Sequence, residues 1–242
     1  MAGRAARAAH VDVAEPDRET HVRLVEVART LFAADGYHRV TVRQVCAAAR
    51  ANVAAINYHF GGKYGLYREV LDEAIAVMRD TSDGAMAAGA GGSAEQRLRA
   101  FIRVFLHRVG ESPDSWIRQL MAHEMANPTE ALDDVVREVI APRIAYMASL
   151  VAEILGVGVD DERVMRCVVS VQTQFQAAMA NPVARRLAPG LTGDAESLDR
   201  LAQHIADFSI GGIRAMRDRE SRKSQGTSRT SRVARRKSLG GR

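Results

Sequence analysis

Apolar residues recur three and four residues apart along most of the chain, and that spacing predicts helices. A first helix is expected from about Arg18 to Ala34, with Val22, Val25, Ala28, Leu31 and Phe32 facing inward. A short one follows Thr41, with Val42, Val45, Cys46 and Ala49 on its inner face, and should stop near Arg50. Another opens at Asn52, where Val53, Ile56 and Phe60 share one side. A fourth, from about Lys63 to Asp80, carries Leu66, Val70, Ile75 and Val77. Gly84 to Ser93 reads as a flexible joint. Further helices are expected near 94–109, 115–126, 128–155, 160–180 and 194–217. Asn127-Pro128 and Asn181-Pro182 each place a capping residue before a proline at a first helical position. There is no internal repeat.

The stretch TVRQVCAAARANVAAINYHFGGK, from Thr41 to Lys63, carries the chemistry. Thr41 and Asn52 are suited to N-caps, since a side-chain oxygen there accepts from an unpaired backbone N–H. Arg43 and Gln44 point outward from the first short helix. On the second, Ala54, Ala55, Asn57, Tyr58 and His59 are left facing out, with Asn52 and Val53 at its tip. A solvated face normally carries Lys, Glu and Gln. Two methyls, an amide, a phenol and an imidazole suit a DNA major groove instead: Asn pairs bidentately with adenine, Ala methyls touch thymine methyls, and Tyr or His reaches phosphate. Between Asp35 and Glu69 there is no acidic residue, whereas Arg39, Arg43, Arg50, Lys63 and Arg68 all fall there. Such a surface attracts a polyanion.

GYHRVTVRQVCAAARANVAAINYHFGGKYGLYREVL closely resembles the N-terminal DNA-binding domain of the TetR family of bacterial transcription regulators, over about Thr20 to Ala76. Its most specific parts are Leu31-Phe32, Gly36-Tyr37, the Thr41 cap, and Tyr58-His59-Phe60 followed by Lys63. Further on, HEMANPTEALDDVVREVIAPRI is similar to the C-terminal domain of the CecR-type branch. The resemblance implies that Thr41, Tyr58 and Lys63 hold phosphates and that Arg43, Ala55 and Asn57 meet base edges. Two residues depart from the pattern. Arg50 stands where the family usually has a turn glycine, so a side chain is pressed toward positive φ. Tyr64 replaces the usual acid after the lysine.

Composition bounds the remainder. At 242 residues, 47% hydrophobic and only 5% aromatic, the chain can bury a sizeable core and reads as all-α. The expected organisation is a disordered arm at 1–16 and a helix-turn-helix domain with its linking helix at 17–80. A helical effector-binding and dimerisation domain follows at 93–217, and a disordered basic tail at 218–242. From Arg217 to Arg242 there are ten basic and two acidic residues, so the rest of the chain carries −3 of the net +5. The tail is either a solvated appendage or a source of sequence-independent DNA affinity. No window is apolar enough for a membrane span and no signal peptide is evident, so a cytoplasmic protein without membrane contact is expected. Cys46 and Cys167 fall on apolar stripes, as buried structural thiols or a redox switch. No phosphate loop, GxSxG or metal spacing is present, so neither enzyme chemistry, metal nor cofactor is expected.

The last helix has a stripe of Leu198, Leu201, Ile205, Phe208 and Gly212, spaced three, four, three and four. It is either core of a monomer or, as the resemblance implies, part of a four-helix homodimer interface. The family's ligand response implies a small-molecule effector pocket among the middle helices. Candidates are Phe105, Trp116, Met121, Met147, Gln172, Phe175 and Gln176, which otherwise serve as plain core. His123 and Glu124 are either ligand contacts or a structural polar pair. The function so implied is a repressor released from an inverted-repeat operator in double-stranded DNA by an effector. The alternative is a helical protein-interaction module without specific DNA binding.

Overall fold

The computed structural model describes the backbone at residues 15–110, 115–180, 186–187, 190 and 194–239. Within them every regular element is helical: α1 (Glu15–Asp35), α2 (Val42–Ala49), α3 (Val53–Phe60), α4 (Lys63–Ala87), α5 (Ala94–Gly110), α6 (Trp116–Ala126), α7 (Leu132–Val135), a π-helical turn (Val136–Ile140), α8 (Ala141–Leu155), α9 (Glu162–Ala180) and α10 (Ala195–Leu239). The chain divides into two compact units, one of residues 1–76 and 114–133, the other of 77–113 and 134–242.

The first unit is built on α1. Leu24, Ala28 and Phe32 lie one turn apart and are fully buried, together with Ile56 from α3 and Val70, Leu71 and Ala74 from α4. Each large side chain so buried stabilises by about 1.5–3 kcal/mol. Helix α6, which the sequence grouped with the second domain, packs on α1. Three contacts hold it to α1 and α4. His123 Nε2 donates to the Ala34 carbonyl at 3.1 Å, the Arg29 guanidinium lies over the Trp116 ring at 5.4 Å, and Tyr67 donates its hydroxyl to the buried Glu124. Glu124 also accepts from the Thr129 amide and hydroxyl, each at 2.8 Å. A buried carboxylate with three donors is satisfied without a cation. Burial first, then the bond to Glu124, raises the Tyr67 phenol far above its usual pKa, so it remains a donor.

The second unit packs α5, α8, α9 and α10 around Leu98, Phe101, Ile102, Phe105, Met147, Leu150, Val151, Val164, Val168 and Phe175. Ser93 and Gln96 form a capping box at the start of α5, at 2.8 and 3.3 Å. Asp194 caps α10 by accepting from the Ser197 amide at 2.7 Å.

Several boundaries differ from the expectation for local reasons. Helix α4 runs on through Gly84 to Ala87, with the Arg108 guanidinium lying over the Gly84 position. The helix expected over 128–155 is divided. Asn127 closes α6 rather than opening the next helix, and Pro142 lacks the N–H that would bond residue 138. A π turn absorbs the gap, with the Ala141 N–H reaching the Val136 carbonyl. Asn181-Pro182 lies outside the described residues. Finally, α10 continues to Leu239 where a disordered tail from 218 was expected.

Candidate nucleic-acid interface

Helix α2 is closed at both ends. Thr41, in extended conformation, accepts from the Gln44 amide at 3.3 Å, while the Gln44 side chain accepts from the Thr41 amide at 2.8 Å. At the other end Arg50 is left-handed, φ 50° and ψ 44°, the one non-glycine residue at positive φ among those described. Its N–H bonds the Ala47 carbonyl and the Ala51 N–H bonds that of Cys46. This pair is a Schellman closure. Arg23 of α1 adds a hydrogen bond from Nε to the Ala49 carbonyl at 2.7 Å.

Helix α3 follows after three residues, Arg50, Ala51 and Asn52. Asn52 caps it, accepting from the Ala54 amide at 3.0 Å, and Gly61 ends it at φ 69°. Ile56 alone is fully buried and anchors the helix. Ala54, Asn57 and Tyr58 are exposed, Tyr58 by 76%, and Ala55 is half-buried. Val53, expected inward, is 42% exposed at the helix tip. Gly65 sits where a Cβ would lie 1.8 Å from the Phe60 carbonyl oxygen, so only glycine lets α4 start this close to the end of α3.

His59 departs from the expectation of an outward ring. Its side chain is 8% exposed, with Nε2 3.1 Å from an Asp17 carboxylate oxygen. Its ring meets His21 edge-on at 5.6 Å, and His21 in turn pairs with Glu69 at 3.0 Å. The imidazole thus ties α3 to α1 instead of facing a groove. Lys63 opens α4 with its ammonium 4.2 Å from the Tyr37 ring centroid, and desolvation lowers its pKa. Tyr64 meets the same ring edge-on at 6.1 Å, occupying by aromatic packing the position of the family's usual acid. Thr41, Arg43 and Gln44 are exposed, as are Arg39 and Arg50.

Sequence reasoning missed Asp17, His21 and Arg23, and took Tyr37 only as part of the family pattern. Each acts on a residue more than twenty positions away, and no local spacing signals such a pairing.

The other candidates are divided between the two units. Trp116, Met121, His123 and Glu124 belong to the first unit, and the last two serve the structural contacts already given. Phe105, Met147 and Phe175 are buried in the second unit, with Gln172 partly so. The side chain of Gln176 lies outside the described residues. Of the α10 stripe, Leu198, Leu201 and Ile205 are buried within the protomer itself and cannot form a free face. They pack inward because α10 lies along α5 and α8. Phe208, 69% exposed, and Gly212 do face outward. Cys46 and Cys167 are free, buried thiols, with burial raising both pKa values. No helix among the described residues is long and apolar enough to cross a membrane.

Two capped short helices, the second anchored by one isoleucine and otherwise displaying small and hydrogen-bonding groups, define a helix-turn-helix protein of the DNA-binding class. The model of the bacterial regulatory proteins of the tetR family matches residues 24–70. That of the C-terminal domain of the HTH-type transcriptional dual regulator CecR matches 94–213. The chain belongs to the TetR family and is by that membership a DNA-binding transcription regulator. Solved structures share the fold. A TetR-family transcriptional regulator from Streptomyces coelicolor is 22% identical, with a TM-score of 0.55 over 81% of this chain and 97% of its own. A protein from Pseudomonas aeruginosa described as a transcriptional regulator is 20% identical, with a TM-score of 0.61 over 84% and 96%. The fatty acid degradation regulator FadR from Bacillus halodurans is 16% identical, with a TM-score of 0.54 over 81% and 96%. No curated protein matches the chain at a significant level.

Proposed function

We propose that the protein is a homodimeric repressor that grips an inverted-repeat operator and is released by a small-molecule effector. The observation that carries this reading is the exposed face of α3, where Ala54, Asn57 and Tyr58 stand clear around the buried Ile56. Arg43, Ala55 and Asn57 meet base edges, and Thr41, Tyr58 and Lys63 hold phosphates. Asn52, Val53 and Gln44 line the approach, and His59 acts indirectly by fixing the pitch of α3.

Dimerisation uses α9 and α10. Val169 and Met165 on α9 and Phe208 and Met216 on α10 are large apolar groups left exposed, and a Cβ added at Gly211 or Gly212 would meet nothing within 4 Å, leaving room for a partner helix. Two reading heads roughly 34 Å apart then address successive major grooves. An effector that binds the mis-spaced state better by about 2.7 kcal/mol lowers operator affinity a hundredfold. The test is selection from randomised duplexes followed by footprinting of the enriched sites. A two-fold symmetric site is expected, and enrichment of no sequence over another would reject the reading.

A further inference from the structure

Arg143, on the first turn of α8, lies in the second unit with its guanidinium 4.9 Å from the Phe105 ring centroid. Its Nε is shielded from solvent and has no hydrogen-bond partner, and among the described residues no carboxylate pairs with it. Desolvation accordingly lowers its pKa. A partly buried cation resting on an aromatic face gains some attraction from the ring, but less than it loses by leaving water. Phe105 packs against Phe175 at 5.4 Å, and one turn before Phe175 the Oε1 of Gln172 is also shielded and unpartnered. Phe101, stacked on Phe105 at 5.7 Å, meets the ring of Tyr146, whose hydroxyl is a third shielded group without a partner. Native cores leave few polar groups unsatisfied, and three of the shielded, unpartnered side-chain atoms among the described residues belong to residues on or beside this aromatic cluster.

We infer that the second unit takes a small amphiphilic carboxylate, its anionic head paired with Arg143 and its apolar body against Phe105 and Phe175. A guanidinium matches a carboxylate with two parallel N–H bonds, which a neutral ligand cannot reproduce. Gln172 Oε1 adds an acceptor for a hydroxyl or N–H on the same ligand, and the Tyr146 hydroxyl a donor. This inference rests on the effector reading and names its ligand class.

The test is titration calorimetry on the full-length protein without DNA. The probes are decanoate against decan-1-ol, and naphthalene-2-carboxylate against its carboxamide. At least one acid is expected to bind about tenfold tighter than its neutral counterpart, the scale of a charge-assisted bond. Arg143→Met and Arg143→Gln should both abolish that preference. Arg143→Met should also raise the melting temperature of the ligand-free protein, because it removes an uncompensated charge. Equal affinity for acid and neutral probe, a preference that survives both substitutions, or no saturable binding of either acid at millimolar concentration overturns the assignment. An acid that binds through Arg143 yet leaves operator affinity unchanged upholds the site and sinks the release mechanism instead.

Discussion

Replacing Arg50 by glycine isolates a strain that the fold imposes on one residue. The Schellman closure of α2 requires a left-handed conformation at this position, and Arg50 adopts it at φ 50°. For a residue with a Cβ that conformation costs about 1–2 kcal/mol relative to a right-handed one. Glycine pays no such penalty but loses more entropy on folding, about 0.5–1 kcal/mol. The side chain of Arg50 is exposed, so little packing is lost with it. The expected net gain for Arg50→Gly is therefore about 0.5–1 kcal/mol, or a rise of about 1–4 °C in melting temperature for a chain of this size. Arg50→Ala is the control, since it removes the guanidinium and keeps the strain. Thermal unfolding followed by circular dichroism compares the three proteins. If Arg50→Gly melts no higher than Arg50→Ala, the strain argument is wrong. The same pair reports on DNA: if Arg50 neutralises a phosphate, both variants lower the slope of log affinity against log salt by about 0.9.

Asn57→Ala should cost about 1–3 kcal/mol on the selected operator and relax its sequence preference, whereas Lys63→Ala should weaken all duplexes alike; fluorescence anisotropy on specific and random DNA distinguishes them. Tyr67→Phe leaves the buried Glu124 short of one donor and should destabilise by about 1–3 kcal/mol, read from urea unfolding. The Tyr67→Phe/Glu124→Gln double variant should recover part of that loss, since the carboxylate that lost its donor is gone. Acid should destabilise the second unit in a defined window. The carboxyls of Asp161, Asp199 and Glu95 are held low, first by hydrogen bonds from Arg163, Arg103 and Arg214. A depressed folded-state pKa contributes stability above the ordinary carboxylate range, near pH 4, and loses it as the pH falls through the folded value, about 2 for Asp161. Melting temperatures measured from pH 5 downward should fall less steeply in Asp161→Asn, and salt should shrink the difference.

Local chemistry made the reading head legible before any coordinates. Thr41 and Asn52 can cap because a hydroxyl or amide one position before a helix meets its first free N–H groups, and such bonds span only two or three residues. The expectation of positive φ at Arg50 rests instead on the resemblance, whose pattern usually has a glycine at that turn position, and the structure shows it. The tertiary structure decided what depends on distant partners. His59 reads as outward by helical spacing, yet Asp17 and His21 of α1 capture its ring. Leu198, Leu201 and Ile205 form an apolar stripe that would suit a second copy of the chain, but α5 and α8 cover it first. The unpaired state of Arg143 likewise depends on which carboxylates the fold brings within reach. Periodicity tells which face of a helix leaves water; the elements that meet it, brought together from far along the chain, decide what that face touches.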